Sequence, residues 1–278
     1  MIYLFFIMLV CFSCSRKPFR ESLELGGKII STETLNRGFG VYQAKCVSCH
    51  GKDGDGTGIT YRSLLLKPRN FKQGLYKFGL GLNGSLPSDE DFKNILTHGL
   101  QGTAMLPWGL NDRDLDSVVQ YIKTFAPEVW SGKNYSPSIR PVFTKDPYTD
   151  VYAHVAIKKG ARVYHDQGQC FSCHRAYLSV SEMKDITGDK NISEGSDVYQ
   201  VKPQETSFFT GKKSDEMLIV NPPDFKVQSI RSASTVEEIY QRISVGVAGT
   251  PMPAWQDVLT EDELWSLAYY VKSLEQKE

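Results

Sequence analysis

The chain has 278 residues, 41% hydrophobic and 23% charged, an ordinary globular balance with room for two small domains. Its 32 basic and 32 acidic residues cancel, which excludes a chain built around nucleic acid or an acidic polymer. The balance is uneven along the chain: residues 31–127 hold 11 basic and 9 acidic residues, and residues 150–278 hold 14 and 19, so the second half is modestly acidic.

The first element is MIYLFFIMLVCFSC, an uncharged apolar run ending at Cys14. It is shorter than the roughly 20 residues that span a bilayer, and it has the length of a signal-peptide core. Ser13 before Cys14 resembles the end of a bacterial lipoprotein signal. That resemblance implies a lipidated Cys14 as the first mature residue, residues 15–31 as a tether, and an exported, membrane-anchored protein on the periplasmic side. A cleaved ordinary signal or an uncleaved anchor would export it as well. Cys11 and Cys14 belong to this segment, which leaves Cys46, Cys49, Cys170 and Cys173 and no cysteine for a disulfide framework.

The first unit is expected over residues 32–127. A helix containing Gly38 and Tyr42 leads into CVSCH, Cys46 to His50. C-x-x-C-H reads as c-type haem attachment. Two thiols three positions apart can each add to one haem vinyl group, and the adjacent imidazole then sits under the iron as its ligand. A thioredoxin-type pair would need βαβ alternation, which is missing. A shared zinc would need a shorter separation than that from Cys49 to Cys170, and it leaves the histidines unexplained. A proline loop, KPRNF, follows at Lys67, and then HGLQGTAMLPW at His98. The unit closes on a helix with Leu115, Val118, Val119 and Ile122 on one face, capped by Asn111 or Asp112.

Residues 128–149 are proline-rich and read as a linker. The second unit, 150–278, repeats the first. Gly160, Val163 and Tyr164 match Gly38, Val41 and Tyr42, and CFSCH runs from Cys170 to His174. NPPDF pairs with KPRNF, and VGVAGTPMPAW pairs with HGLQGTAMLPW. The last helix places Leu264, Leu267, Ala268 and Val271 on one face, with Thr260 and Glu263 as a capping box. The departure is an insertion near residues 177–218, between His174 and Phe225, which is expected to cover the second haem or dock a partner.

Met105 and Met252 occupy equivalent places in a G-T-x-M loop just before Trp108 and Trp255. A thioether opposite the imidazole suits an iron that changes charge without changing ligands. His50 with Met105, and His174 with Met252, are therefore the expected iron ligands of two haem c groups. His98 is set aside, because its counterpart is Val245. His154 and His165 have no counterparts and are expected on the solvent side of a helix.

The whole pattern resembles class I cytochrome c, twice over. The resemblance implies an all-α fold of two tandem class I cytochrome c domains. It also implies that Gly38 and Tyr42 pack against Tyr121, and Gly160 and Tyr164 against Tyr270. It further implies a proline carbonyl that accepts the proximal histidine N–H, with Pro68 and Pro222 in that place and Pro223 as the alternative in the second unit. The expected function is single-electron transfer between periplasmic or membrane redox proteins, as a relay or as a subunit of a respiratory or dehydrogenase complex. The alternative is a dihaem oxidoreductase with one catalytic haem, peroxidase-like or oxidising sulfur compounds.

Overall fold

The computed structural model describes residues 18–82, 85–148, 150–207 and 217–275. The apolar N-terminal segment and Cys14 lie outside the described residues.

Two short strands, β1 (Leu23–Leu25) and β2 (Lys28–Ile30), form an antiparallel hairpin. Its turn is Gly26-Gly27, both at positive φ (62° and 71°), the conformation that a two-residue hairpin loop of this hand demands. Helix α1 (Thr32–Lys45) starts on the Ser31 cap, and its C-terminus runs directly into α2 (Val47–His50). Helix α3 (Asp89–His98) carries a Ser88–Asp91 capping box. Helix α4 (Asp112–Lys123) is capped by Asn111, as its sequence implied. The short α5 (Pro127–Trp130) follows.

The second unit repeats this order. Helix α6 (Ala153–His165) leads into the second cysteine motif. Helix α7 (Val180–Thr187) and a second hairpin, β3 (Gln204–Ser207) with β4 (Met217–Val220), belong to the insertion. Helix α8 (Val236–Val245) and helix α9 (Glu261–Leu274) complete the unit, α9 with the expected Thr260–Glu263 box. The regular structure among the described residues is thus helical apart from two small hairpins.

The core of each unit sits where its first and last helices cross. A Cβ on Gly38 would stand 2.0 Å from the carbonyl oxygen of Ser117, and one on Gly160 would stand 2.0 Å from that of Ser266. Glycine is therefore required for the two backbones to approach this closely. Aromatic rings fill the space beside each crossing. Tyr42 lies 5.2 Å from Tyr121 and Tyr164 lies 5.5 Å from Tyr270, centroid to centroid. The resemblance implied both pairs.

Three segments pack more than their sequences suggested. Residues 15–31 were expected to be a tether, yet Leu25 and Ile30 are buried in the first core, with Phe19 and Leu23 packed against it. The start of the linker also belongs to that core: Trp130 is only 1% exposed, and its backbone oxygen accepts from Gly26 N at 2.7 Å. Farther along the linker, Phe143 and Tyr148 pack on the second core. The insertion has a small core of its own, Ala176, Met183 and Ile192.

Candidate functional site

Each cysteine motif hangs on a tyrosine. The Tyr42 hydroxyl donates to the Gly51 carbonyl at 2.7 Å, and the Tyr164 hydroxyl donates to the Arg175 carbonyl at 3.0 Å. These are the carbonyls immediately after His50 and His174, so the tyrosine of the first helix fixes the position of each imidazole along the chain. Among the described residues none of the four motif cysteines is in a disulfide. Burial pushes Cys46 and Cys170 up to about 12. A redox-active pair of the thioredoxin type needs the opposite shift, because its chemistry runs through a thiolate.

The imidazoles are oriented by the loops that follow. His50 Nδ1–H donates to the Arg69 carbonyl at 3.2 Å, and His174 Nδ1–H donates to the Pro223 carbonyl at 3.1 Å. A carbonyl only accepts, so Nδ1 bears the proton and Nε2 is left with its lone pair for a metal. Burial lowers both pKa values, which favours the neutral, ligating form. The expected acceptor Pro68 is thus corrected to Arg69, and of the two prolines in the second unit the alternative, Pro223, is the acceptor in place of Pro222: in both units the acceptor is one residue later than the aligned proline. The reason lies in the ring two positions on. Phe71 stacks on His50 at 4.5 Å and Phe225 stacks on His174 at 4.7 Å. With that ring against the imidazole face, the carbonyl two residues before it meets the imidazole edge. The aligned phenylalanines were visible in KPRNF and NPPDF, and counting back from them identifies the acceptors.

The methionine loops are also built alike. Thr103 Oγ1 accepts from Met105 N at 3.0 Å and donates to the Leu100 carbonyl at 2.8 Å. Thr250 Oγ1 accepts from Met252 N at 3.2 Å and donates to the Val247 carbonyl at 2.8 Å. Each loop is closed by a backbone bond, Leu100 N to Met105 O at 2.8 Å and Val247 N to Met252 O at 3.1 Å. Gly99 and Gly246 start the loops at positive φ, where a Cβ would strike Met105 O at 2.5 Å and Met252 O at 2.7 Å. Met105 and Met252 are both half-buried and pack against their unit's core.

In the second unit these parts converge on one cavity of about 410 Å³, lined by Cys170, Cys173, His174 and Met252 together with Phe225, Trp255 and Leu267. Two thiols, an imidazole with its Nε2 lone pair and a thioether, set in apolar walls, fit haem c. Among the described residues no cluster of three or more His, Cys, Asp and Glu could hold a bare metal ion.

The remaining histidines divide. His98 is exposed and its Nδ1–H donates to Asn94 O at 3.1 Å. His154 is exposed, as expected, with its Nδ1–H donating to Val151 O at 3.0 Å. His165, expected on the solvent side, is fully buried. Its Nδ1–H donates to Ala161 O at 2.7 Å and its Nε2 accepts from Tyr177 N at 3.1 Å. The inserted segment covers that face of α6, so the helix has no solvent side there.

A helical unit with a C-x-x-C-H motif, an oriented imidazole and a methionine loop, present twice, defines tandem c-type cytochrome domains. The chain belongs to the family described as cytochrome C oxidase, cbb3-type, subunit III, whose pattern matches residues 33–122 and 155–271. A chain of the Kuenenia stuttgartiensis reducing HAO-like protein complex Kustc0457/Kustc0458 has a similar structure. The TM-score is 0.65 at 29% identity, covering 86% of this chain and 96% of that chain. No curated protein matches the chain. The chain is a haem-binding electron-transfer protein.

Proposed function

We propose that the chain is an exported dihaem cytochrome c that passes single electrons between redox proteins through two His/Met-ligated haems, as a subunit of a larger redox complex. The observation that carries this reading is the methionine loop, built with the same threonine and glycine hydrogen bonds in both units. The complex is suggested by the similar chain, whose title names one. Haem c supplies an iron that takes up and releases one electron. The protein holds the ligands still. Arg69 and Pro223 carbonyls lock the imidazoles, the threonine hydroxyls lock the methionine backbones, and the apolar walls exclude water. Little rearrangement then accompanies the change of charge. The first unit takes in the docked hairpin and Trp130 along with residues 32–127, the second covers residues 150–278, and the anchor is a lipidated Cys14.

The test is to fractionate cells and record the reduced absorption spectrum of the detergent-extracted protein with and without carbon monoxide. The expected result is a membrane-bound protein with two c-type haems and a spectrum that carbon monoxide leaves unchanged. Recovery in the soluble fraction would sink the anchor. A carbon monoxide shift in one haem would show an exchangeable ligand position and move the dihaem oxidoreductase reading to the front.

A further inference from the structure

The cavity of the second unit is not made by that unit alone. Lys77 and Phe78 of the first unit line it, beside Arg231 and Arg242 of the second. Three cationic side chains therefore face one apolar chamber, and its lining contains no carboxylate. Among the described residues none of the three is in an ion pair. Arg242 is buried, and its guanidinium reaches across to the first unit, where Nη1 and Nη2 donate to the Gly79 and Phe78 carbonyls at 2.8 Å each. Among the described residues its Nε has no hydrogen-bond partner. Phe78 itself sits at φ 68°, a left-handed conformation that is costly for an aromatic residue and is maintained only where the surroundings impose it.

Lys77 and Arg231 hold equivalent places, each six residues after the phenylalanine that stacks on its unit's imidazole. The seam is further tied by Gln101 N donating to Arg231 O at 3.2 Å. Burial, with the nearby charges of Arg69 and Arg231, pulls Lys77 down to about 8, and burial pulls Arg242 down to about 10. Asp91, outside the lining and paired with Arg140, offsets the burial of Arg242 only in part, and cations so placed in an apolar chamber are unfavourable and call for an anion in the same place.

We propose that Lys77, Arg231 and Arg242 form a carboxylate-binding site that spans the two units and holds the propionates of the second haem. This rests on the haem reading above. Haem c carries two propionate carboxylates, and Arg231 and Arg242 offer planar donor forks suited to them. Lys77 brings the first unit into the second haem's electrostatic environment. Docking of the two units therefore sets the second haem's reduction potential, because removing a nearby cation favours the ferric state.

The test uses the intact haem-loaded protein carrying haem labelled with ¹³C at its propionate carboxyls. Lys77→Gln is the decisive variant, since among the described residues no hydrogen bond depends on the Lys77 side chain. Arg231→Gln is the second, and Lys159→Gln, an exposed ion-pair partner of Asp262, is the control. The expected result is a shift of labelled carboxylate bands in the redox-difference infrared spectrum. At fixed ambient potential the oxidised-to-reduced ratio is also expected to rise about tenfold, or about 59 mV, in the component that Met252→His also moves. Labelled bands and midpoints that match the control in both variants would overturn the inference and leave the haem reading intact. A purified protein without c-type haem would instead remove the haem reading on which the inference rests.

Discussion

His165 has both ring nitrogens committed in its neutral form, one donating to Ala161 O and the other accepting from Tyr177 N. Protonation would turn the acceptor into a donor facing another donor. Burial holds its pKa below the ordinary 6.5, against smaller opposing effects of the Ala161 bond and Glu182. The unfolded chain binds the proton more readily, so stability is fully present above about 6.5 and is lost as pH falls below it. Denaturant midpoints measured across that range in the haem-loaded protein are expected to decline toward acid. His165→Phe should be less stable at neutral pH, since Tyr177 N–H loses its acceptor, by about 1–3 kcal/mol. Its acid slope should be flatter than that of the wild-type protein. An unchanged slope would assign the acid sensitivity to other groups. Nothing in the local sequence reveals this buried role, because the partner that seals His165 arrives from the inserted segment.

The crossing of α6 over α9 depends on Gly160 as that of α1 over α4 depends on Gly38. A methyl group on Gly160 would lie 2.0 Å from Ser266 O and 2.7 Å from the Tyr270 Cβ. Both are held by helix backbone and have no free space to yield. Gly160→Ala is expected to cost about 3 kcal/mol and to loosen the Tyr164–Tyr270 contact. Because the Tyr164 hydroxyl holds the carbonyl after His174, haem incorporation in the second unit should fall with it. Calorimetry and haem stoichiometry would check both effects, and normal values in both would remove the close crossing from the account. This element was legible because the chain repeats: one glycine is weak evidence, while two at equal places before two C-x-x-C-H motifs are strong. The first hairpin was equally writable in the letters, since LELGGKII places two glycines where a two-residue turn needs positive φ. It reads equally as a tether, because its burial comes from distant residues, and a tether and a docked hairpin look alike until those residues are placed.

At the scale of the whole molecule, the segment joining the units is part of the structure of both. Trp130 packs among Tyr76, Phe92 and Tyr135, and its Nε1–H donates to the Tyr76 hydroxyl at 3.3 Å. The buried Lys123 lies over its ring at 4.8 Å and pairs with Asp89. Farther along, Arg140 pairs with the buried Asp91 of the first unit, and the Thr144 backbone N–H donates to the Tyr240 hydroxyl at 3.2 Å. Prolines told of a segment that is neither helix nor strand, but they carry no information on whether it is free or docked. The burial of Trp130 decides that for its first part. A first-unit fragment of residues 18–127 would lack this ring, leaving the Tyr76 hydroxyl without its donor and Lys123 without its cover. A fragment of residues 18–141 keeps Trp130 and Arg140. The longer fragment is expected to be more stable by about 3–5 kcal/mol, and Trp130→Ala within it should bring it most of the way back to the shorter one. Urea unfolding of the three haem-loaded fragments would measure this. Equal midpoints would mean that the ring is an ornament on the first unit, and the boundary at residue 127 would then stand.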